Sequence, residues 1–171
     1  ILNQLANELS FQSNFPKALE LYLTGIELAH QADRLDVVSV NMENIGSIYY
    51  SIKDYDQALD FYKKGLKINM DQGNEIRIAE TLSNMASTYA EMENVRTAME
   101  HIDKSIETFE KYDTKEWLAY SYEIKGKIFK VKKEYDSALV WYKKGEVLHK
   151  ELDDKRGEIF LLEGMANTYL G

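Results

Sequence analysis

Residues 54–65 read DYDQALDFYKKG and residues 134–145 read EYDSALVWYKKG, so one segment of the chain occurs twice with few changes. An alanine from this segment recurs at every fortieth position, as Ala18, Ala58, Ala98 and Ala138. A second set of small residues keeps the same spacing, as Ala6, Gly46, Ala86, Gly126 and Ala166. A fixed period of this length predicts stacked copies of one supersecondary unit.

Each repeat has the pattern of two helices. In the first, Met42, Ile45 and Tyr49 recur at the three- and four-residue steps that place side chains on one helical face. The second helix begins after a residue that keeps the same spacing, as Asn14, Asp54, Asn94 and Glu134. The first three have short side chains that can accept from backbone N–H groups, so we predict them as N-caps.

Glycines inside the predicted helices indicate close packing. Gly46 and Gly65 both fall in mid-helix, where glycine costs roughly 1 kcal/mol relative to alanine. We therefore predict that the backbone of a paired helix approaches these positions closely, with a neighbouring aromatic ring filling the space beside the crossing.

The composition excludes several classes of protein. The chain has 171 residues, no Cys and a net charge of -8. The absence of Cys excludes disulfides, zinc–thiolate sites, iron–sulfur clusters and thiol nucleophiles. The acidic balance argues against nucleic acid as a partner of this region. Apolar runs are far shorter than the roughly 20 residues that cross a bilayer, so no membrane contact is expected. The absence of Cys and of a targeting segment favours a cytoplasmic location.

These repeats resemble tetratricopeptide repeats. The family pattern is present as Ile45-Gly46-x-x-Tyr49 followed by Ala58-x-x-x-Tyr62. The period of 40 is longer than the family's usual period of about 34, and it is similar to that of the long subclass in kinesin light chains and bacterial peptide-responsive regulators. The resemblance implies an all-α fold, a right-handed superhelical solenoid of about four helix pairs plus a partial fifth. A HEAT-like repeat is the alternative.

The same resemblance predicts one continuous array over residues 1–171. Its repeats would be 1–33, 34–73, 74–113 and 114–153, with a partial repeat at 154–171. Both ends fall inside a predicted first helix and carry apolar residues, whereas terminal repeats usually carry a polar face. We therefore expect the chain to be part of a longer protein.

The third repeat departs most from the pattern. Val95 replaces a tyrosine, and His101-Ile102 replaces the aromatic pair found in the second and fourth repeats. Nearby, Lys125 stands where the other repeats carry Leu, Ile or Met. We predict looser packing around these positions.

The sequence offers little sign of catalysis. The three histidines, His30, His101 and His149, have no metal-binding spacing. We predict His101 to be a packed core histidine, and we place His30 and His149 near helix C-termini. No phosphate-binding glycine loop or nucleophile elbow occurs. We therefore expect no enzyme activity, no metal and no cofactor.

The resemblance also implies a binding surface, because the first helices of tetratricopeptide repeats line a concave groove that holds partner segments. The candidate residues on this groove face are Asn7, Asn44, Ser47, Glu80, Asn84, Ser87, Lys127 and Lys130. In the long subclass, an Asn at the place of Asn44 and Asn84 grips the backbone of an extended peptide, since an amide both donates and accepts. The alternative is that they are ordinary polar residues on a solvated face.

We therefore expect a non-enzymatic scaffold that binds a protein or peptide segment. The alternative is a sensory or dimerisation arm of a bacterial transcription regulator or sensor histidine kinase, with a homodimer formed through the end helices. The carboxylate clamp of chaperone-binding members is not expected, because its cations are missing and Glu80 would repel a carboxylate. A lysine cluster would attract an acidic partner or form a solvated face; its members are Lys125, Lys127, Lys130, Lys132 and Lys133.

Overall fold

The structure, a computed structural model, describes residues 2–169 apart from the side chain of Phe160. Regular structure within these residues is entirely α-helical, which confirms the predicted all-α class. The helices are α1 (Leu2–Phe11), α2 (Phe15–Gln31), α3 (Leu35–Ser51), α4 (Tyr55–Asp71), α5 (Glu75–Glu91), α6 (Val95–Tyr112), α7 (Lys115–Val131), α8 (Tyr135–Glu151) and α9 (Lys155–Tyr169).

The chain divides into two compact units. The first unit extends to Thr81 and the second begins at Leu82, so the boundary lies within α5. In the first unit, α1 packs on α2, α2 on α3, and α3 on α4. In the second, α6 packs on α7, α7 on α8, and α8 on α9. The single continuous array predicted from the sequence stays a prediction.

The turns between helices share one geometry. A residue with φ between +52° and +66° follows every helix from α1 to α8, and these residues are evenly spaced along the chain, as Ser13, Asp33, Lys53, Gly73, Glu93, Asp113, Lys133 and Asp153. After each such residue, the next N–H closes back on the helix, as in the 2.8 Å bond from Asn14 N to Leu9 O. This bond satisfies a carbonyl that the helix end would leave unpaired. Both helices of each repeat therefore end in the same way.

The predicted N-caps are confirmed at two of three positions. Asp54 accepts from Gln57 N at 3.2 Å, and Asn94 accepts from Thr97 N at 3.4 Å. The prediction for Asn14 is wrong, because its side chain makes no capping hydrogen bond before α2.

Removing a cap is expected to weaken α4. Asp54→Ala should lower the free energy of unfolding by about 1 kcal/mol, since it leaves a helix-end N–H without its acceptor. Asn14→Ala is the matched control, because Asn14 occupies the same register without capping and should change stability by less than about 0.5 kcal/mol. Urea unfolding followed by circular dichroism compares the two. Equal losses would show that the 3.2 Å bond does not stabilise the helix.

The recurring small residues lie in the cores of both units. The four recurring alanines are fully buried. At Gly46, the close approach is made by an aromatic ring, since a Cβ there would lie 2.7 Å from a ring carbon of Tyr62. At Gly65, a backbone atom is the near neighbour, with Ser39 O at 3.3 Å from the position of a Cβ. The predicted backbone approach is therefore found at Gly65, and ring packing takes its place at Gly46.

The prediction of loose packing in the third repeat is wrong. Ile102 is fully buried, as is Phe109 further along the same helix. Lys125 is held by two contacts, because its Nζ donates to Asp103 Oδ1 at 2.6 Å and lies 4.0 Å from the centroid of the Trp141 ring. An ion pair and a cation–π contact thus take the place of an apolar side chain.

Candidate functional site

In the first unit, hydrogen bonds connect α1, α2 and α3 on the predicted groove face. The Tyr22 hydroxyl donates to Asn7 Oδ1 at 2.6 Å, and Asn44 Nδ2 donates to the same oxygen at 3.4 Å. Asn7 is exposed and Asn44 is half-buried. Because 3.4 Å is long for an N–H···O bond, Asn44 holds this partner weakly. The structure therefore brings Asn7 and Asn44 together, and their role in binding a partner stays a prediction.

Ser47 lies one turn further along α3 and is exposed. Its Oγ donates to Glu43 O at 3.0 Å and lies 3.1 Å from the Tyr62 hydroxyl oxygen. Burial raises the pKa of Tyr62 well above its usual range, so its hydroxyl stays protonated and can donate to Ser47. Ser47 thus marks the point where a buried tyrosine of α4 reaches the surface of α3.

Glu80 does not lie open on the groove face, which corrects the sequence prediction. Its side chain is 9% exposed, and its Oε2 accepts from Arg77 Nη1 at 2.7 Å. Burial raises the pKa of Glu80, while the Arg77 charge and the nearby Glu43 charge act in opposite directions. Because Arg77 offsets its charge, Glu80 would repel a bound carboxylate less strongly than the sequence alone indicates.

Behind Glu80 lies a buried polar group that the sequence analysis missed. Glu43 Oε1 accepts from Asn69 Nδ2 at 2.8 Å and from the Thr81 hydroxyl at 2.7 Å, and Glu43 Oε2 lies 3.9 Å from Arg77 Nη1. Burial raises the pKa of Glu43, and the two donors oppose that shift. In the sequence, Asn69 is the one polar residue on the helical face formed by Ala58, Phe61, Tyr62, Gly65 and Leu66, and this was the available signal.

In the second unit, Asn84 and Ser87 have different surroundings. Asn84 is half-buried, and its Oδ1 accepts from the Tyr120 hydroxyl at 3.5 Å, a long contact. Ser87 is only 6% exposed, so its predicted place on an open groove face is wrong. Ser47 occupies the same register and is exposed, so the register alone does not decide whether this serine reaches the surface.

The predicted basic cluster is largely neutralised within the chain. Lys127 pairs with Glu91, Lys125 with Asp103 at 2.6 Å, and Lys132 with Glu134 at 2.7 Å. Lys127 and Lys130 are both half-buried. Three lysines already have carboxylate partners, so this surface is weakly suited to attract an acidic protein.

A second buried group lies between α7, α8 and α9. His149 is 6% exposed; its Nε2 is 2.7 Å from Glu123 Oε1, and its Nδ1 is 2.9 Å from Asp154 Oδ2. We call Glu123, His149 and Asp154 the His149 cluster. The sequence placed His149 near a helix C-terminus, which is confirmed, but gave no indication of burial or of two carboxylate partners.

His101 is half-buried, and its Nδ1 lies 2.9 Å from Thr97 O while its ring packs edge-on against Tyr89. The ring packs against another side chain as predicted, but a half-buried His101 is not the core histidine that the sequence predicts. Across residues 2–169, no group of His, Asp and Glu side chains has the arrangement of a metal site. Among the helices in that range, none has the length and apolar character needed to span a membrane.

Fold and site together define the chain as an α-helical repeat protein whose first helices carry polar side chains. The resemblance predicted from the sequence is confirmed over part of the chain, because residues 1–71 match the tetratricopeptide repeat family.

One curated relative is response regulator aspartate phosphatase I of Bacillus subtilis, which is 26% identical over 162 residues. The match covers 91% of the chain but 39% of that protein, so the chain spans about two fifths of its relative's length.

Two solved structures have the same fold. BtubC (BKLC) from P. vanneervenii has a TM-score of 0.80 at 20% identity, over 98% of this chain and 70% of that one. A Rap protein in complex with competence and sporulation factor has a TM-score of 0.82 at 15% identity, over 98% of this chain and 47% of that one.

Proposed function

We propose that the chain is a scaffold that binds an extended protein or peptide segment on the polar face of its first helices. The proposal rests on one observation, which is that the side-chain amides of Asn44 and Asn84 are held only weakly within the chain. Both amides are half-buried on first helices, and their internal contacts are long, at 3.4 and 3.5 Å. An amide in this state can exchange a weak internal partner for the N–H and C=O of a peptide unit.

Two comparisons support binding. The fold is shared with a Rap protein that was solved in complex with competence and sporulation factor. The sequence relative is named a response regulator phosphatase, and a protein of that name acts on another protein. We propose binding without catalysis for this chain, because no chemistry at Asn7, Asn44 or Asn84 goes beyond hydrogen bonding. The cytoplasmic location and the absence of a nucleic acid partner stay predictions.

The proposal is tested with peptides selected from a phage-displayed random library panned against the chain. Asn44→Ala and Asn84→Ala should each weaken a selected peptide about tenfold, since each removes one or two hydrogen bonds to peptide backbone. Because backbone is recognised, peptides of unrelated sequence should lose affinity alike. Isothermal titration calorimetry measures the dissociation constants.

Gln57→Ala is the matched control, because Gln57 is an exposed amide on the second helix α4. It should leave affinity unchanged. The proposal fails if the double variant Asn44→Ala/Asn84→Ala binds every selected peptide as the unmodified chain does, or if Gln57→Ala weakens binding equally.

The second candidate is a signalling arm of a larger regulator. It is favoured by the match to a response regulator phosphatase of which this chain spans 39%. The homodimer expected of such an arm stays a prediction that light scattering can check.

A further inference from the structure

The His149 cluster has a counterpart in the first unit. Glu123 lies two repeats after Glu43, and His149 lies two repeats after Asn69, so each pair occupies the same place in its repeat. Each pair is hydrogen-bonded, at 2.7 Å for Glu123 with His149 and at 2.8 Å for Glu43 with Asn69. The fold therefore places a buried carboxylate at one register position twice, and the two copies can be compared.

The two carboxylates face different cations. In the first unit, Arg77 Nη1 lies 3.9 Å from Glu43 Oε2, and an arginine is charged at every physiological pH. The matching position in the second unit is Gly157, which carries no charge. There His149 occupies the space, since a Cβ on Gly157 would overlap His149 Nδ1. A titratable imidazole thus stands where the first unit uses a permanent cation.

The hydrogen bonds of His149 require an additional proton. Both ring nitrogens lie within 2.9 Å of a carboxylate oxygen, and an ionised carboxylate can only accept. A neutral imidazole has one N–H, so it can donate to one carboxylate and not to both. Both bonds form only when the ring is an imidazolium or when a carboxyl group keeps its proton.

We propose that the His149 cluster is a pH-sensitive contact that holds the start of α9 against α7 and α8 at mildly acidic pH and weakens as the pH rises. Asp154 connects the cluster to α9, since its Oδ1 accepts from Gly157 N at 3.0 Å and so caps that helix. Once the additional proton is lost, one ring nitrogen presents a lone pair to a carboxylate. The Asp154–His149 or the Glu123–His149 bond is then lost.

The direction of the pH effect follows from the groups around the ring. Burial raises the pKa of Glu123 to about 6, and the partly opposing cause is His149. A raised pKa means that Glu123 keeps its proton to a higher pH in the folded chain than in the unfolded chain. The stability that the protonated cluster contributes is therefore present at low pH and is lost as the pH rises through about 6.

The pH dependence that Asp154 contributes to stability has the opposite sign. Its pKa is lowered, first by the Gly157 N–H, so its contribution is lost only in stronger acid. The other charged or titratable groups around the adjacent cavity of 340 Å³ are Glu116 and Tyr120 of α7 and Arg156 of α9. Of the two carboxyl groups that bond the ring, Glu123 is the one whose proton is lost near pH 6.

Hydrogen exchange of the whole chain tests the proposal. After correction for intrinsic exchange, amides at the start of α9 should exchange about tenfold faster at about pH 8 than at about pH 5, the effect of one lost charged hydrogen bond. Amides at the start of α4, which Asp54 caps without a histidine partner, are the internal control and should show no such change. The double variant His149→Asn/Gly157→Arg installs the residues of the first unit and should remove the pH response of α9.

A second measurement keeps the proposal testable if the double variant does not fold. Asp154→Asn keeps the cap, since Asn74 caps Arg77 N in the same register at 3.1 Å, but removes one anion from the ring. The asparagine amide can donate to a neutral ring, so the additional proton is no longer needed and the pH response of the α9 amides should become smaller. Glu116→Gln, which lines the cavity without a bond to the ring, should keep the pH response. Equal corrected exchange of the unmodified chain at both pH values, or an undiminished pH response in Asp154→Asn, overturns the proposal.

Discussion

Replacing Tyr62 with alanine is expected to lower the free energy of unfolding of the first unit by about 3–5 kcal/mol. The side chain is 2% exposed and packs on the backbone of α3 at Gly46. Its removal leaves a cavity that α3 and α4 can close only by moving together. Circular dichroism during urea unfolding is the appropriate measurement, because both tryptophans lie in the second unit and their fluorescence does not report on the first.

Two variants separate the causes of that loss. Tyr62→Phe keeps the ring and removes only the hydroxyl that lies 3.1 Å from Ser47 Oγ, so it should cost about 1 kcal/mol. Phe11→Ala removes an aromatic ring that is 74% exposed and should change stability by less than about 0.5 kcal/mol. If Tyr62→Ala were as mild as Phe11→Ala, ring packing at Gly46 would not hold the helix pair together.

Gly157→Ala is expected to lower the free energy of unfolding of the second unit by about 1–3 kcal/mol, although alanine is the better helix former. The added Cβ would overlap His149 Nδ1 and lie 2.5 Å from Asp154 Oδ2. His149 would have to leave its place between the two carboxylates, so the buried Glu123 would lose its hydrogen bond. Tryptophan fluorescence during urea unfolding measures the loss, since Trp117 and Trp141 lie in this unit.

The same clash predicts that the loss depends on His149. In a double-mutant cycle, Gly157→Ala should cost little when residue 149 is already asparagine, as at the matching position 69. Gly164→Ala on the same helix is the control, because its Cβ would lie 3.3 Å from the Tyr142 ring. It should be close to neutral. A loss in Gly157→Ala that persists with His149→Asn would exclude the ring as the cause.

The helices were predictable because their signal is repeated. Ala58 and its counterparts recur at constant spacing, so a single irregular repeat such as the third does not hide the period. The helix face on which Asn7 and Asn44 lie was also predictable, because helical periodicity alone decides which face of a first helix a residue occupies, whereas their role in binding stays a prediction. The structure places them together through a shared contact with one oxygen.

The buried polar groups were not predictable in the same way. Glu43, Glu80 and Glu123 read as surface residues, since charged side chains are seldom buried without partners. Their partners come from other helices, as Asn69 and Arg77 do for Glu43. No local sequence pattern therefore predicts that these carboxylates are buried. Ser87 was misplaced as well, because it is buried although Ser47, forty residues earlier in the same register, is exposed.

The shared left-handed turn has a consequence for how such a chain can change length. Every junction between the described helices has the same backbone form, at even spacing along the chain. Duplication or deletion of one whole repeat therefore joins ends that already match. Gain or loss of a single residue within a helix would instead rotate the following side chains by about 100° and turn the buried stripe toward water. Evolution of these arrays is thus expected to proceed by whole helix pairs.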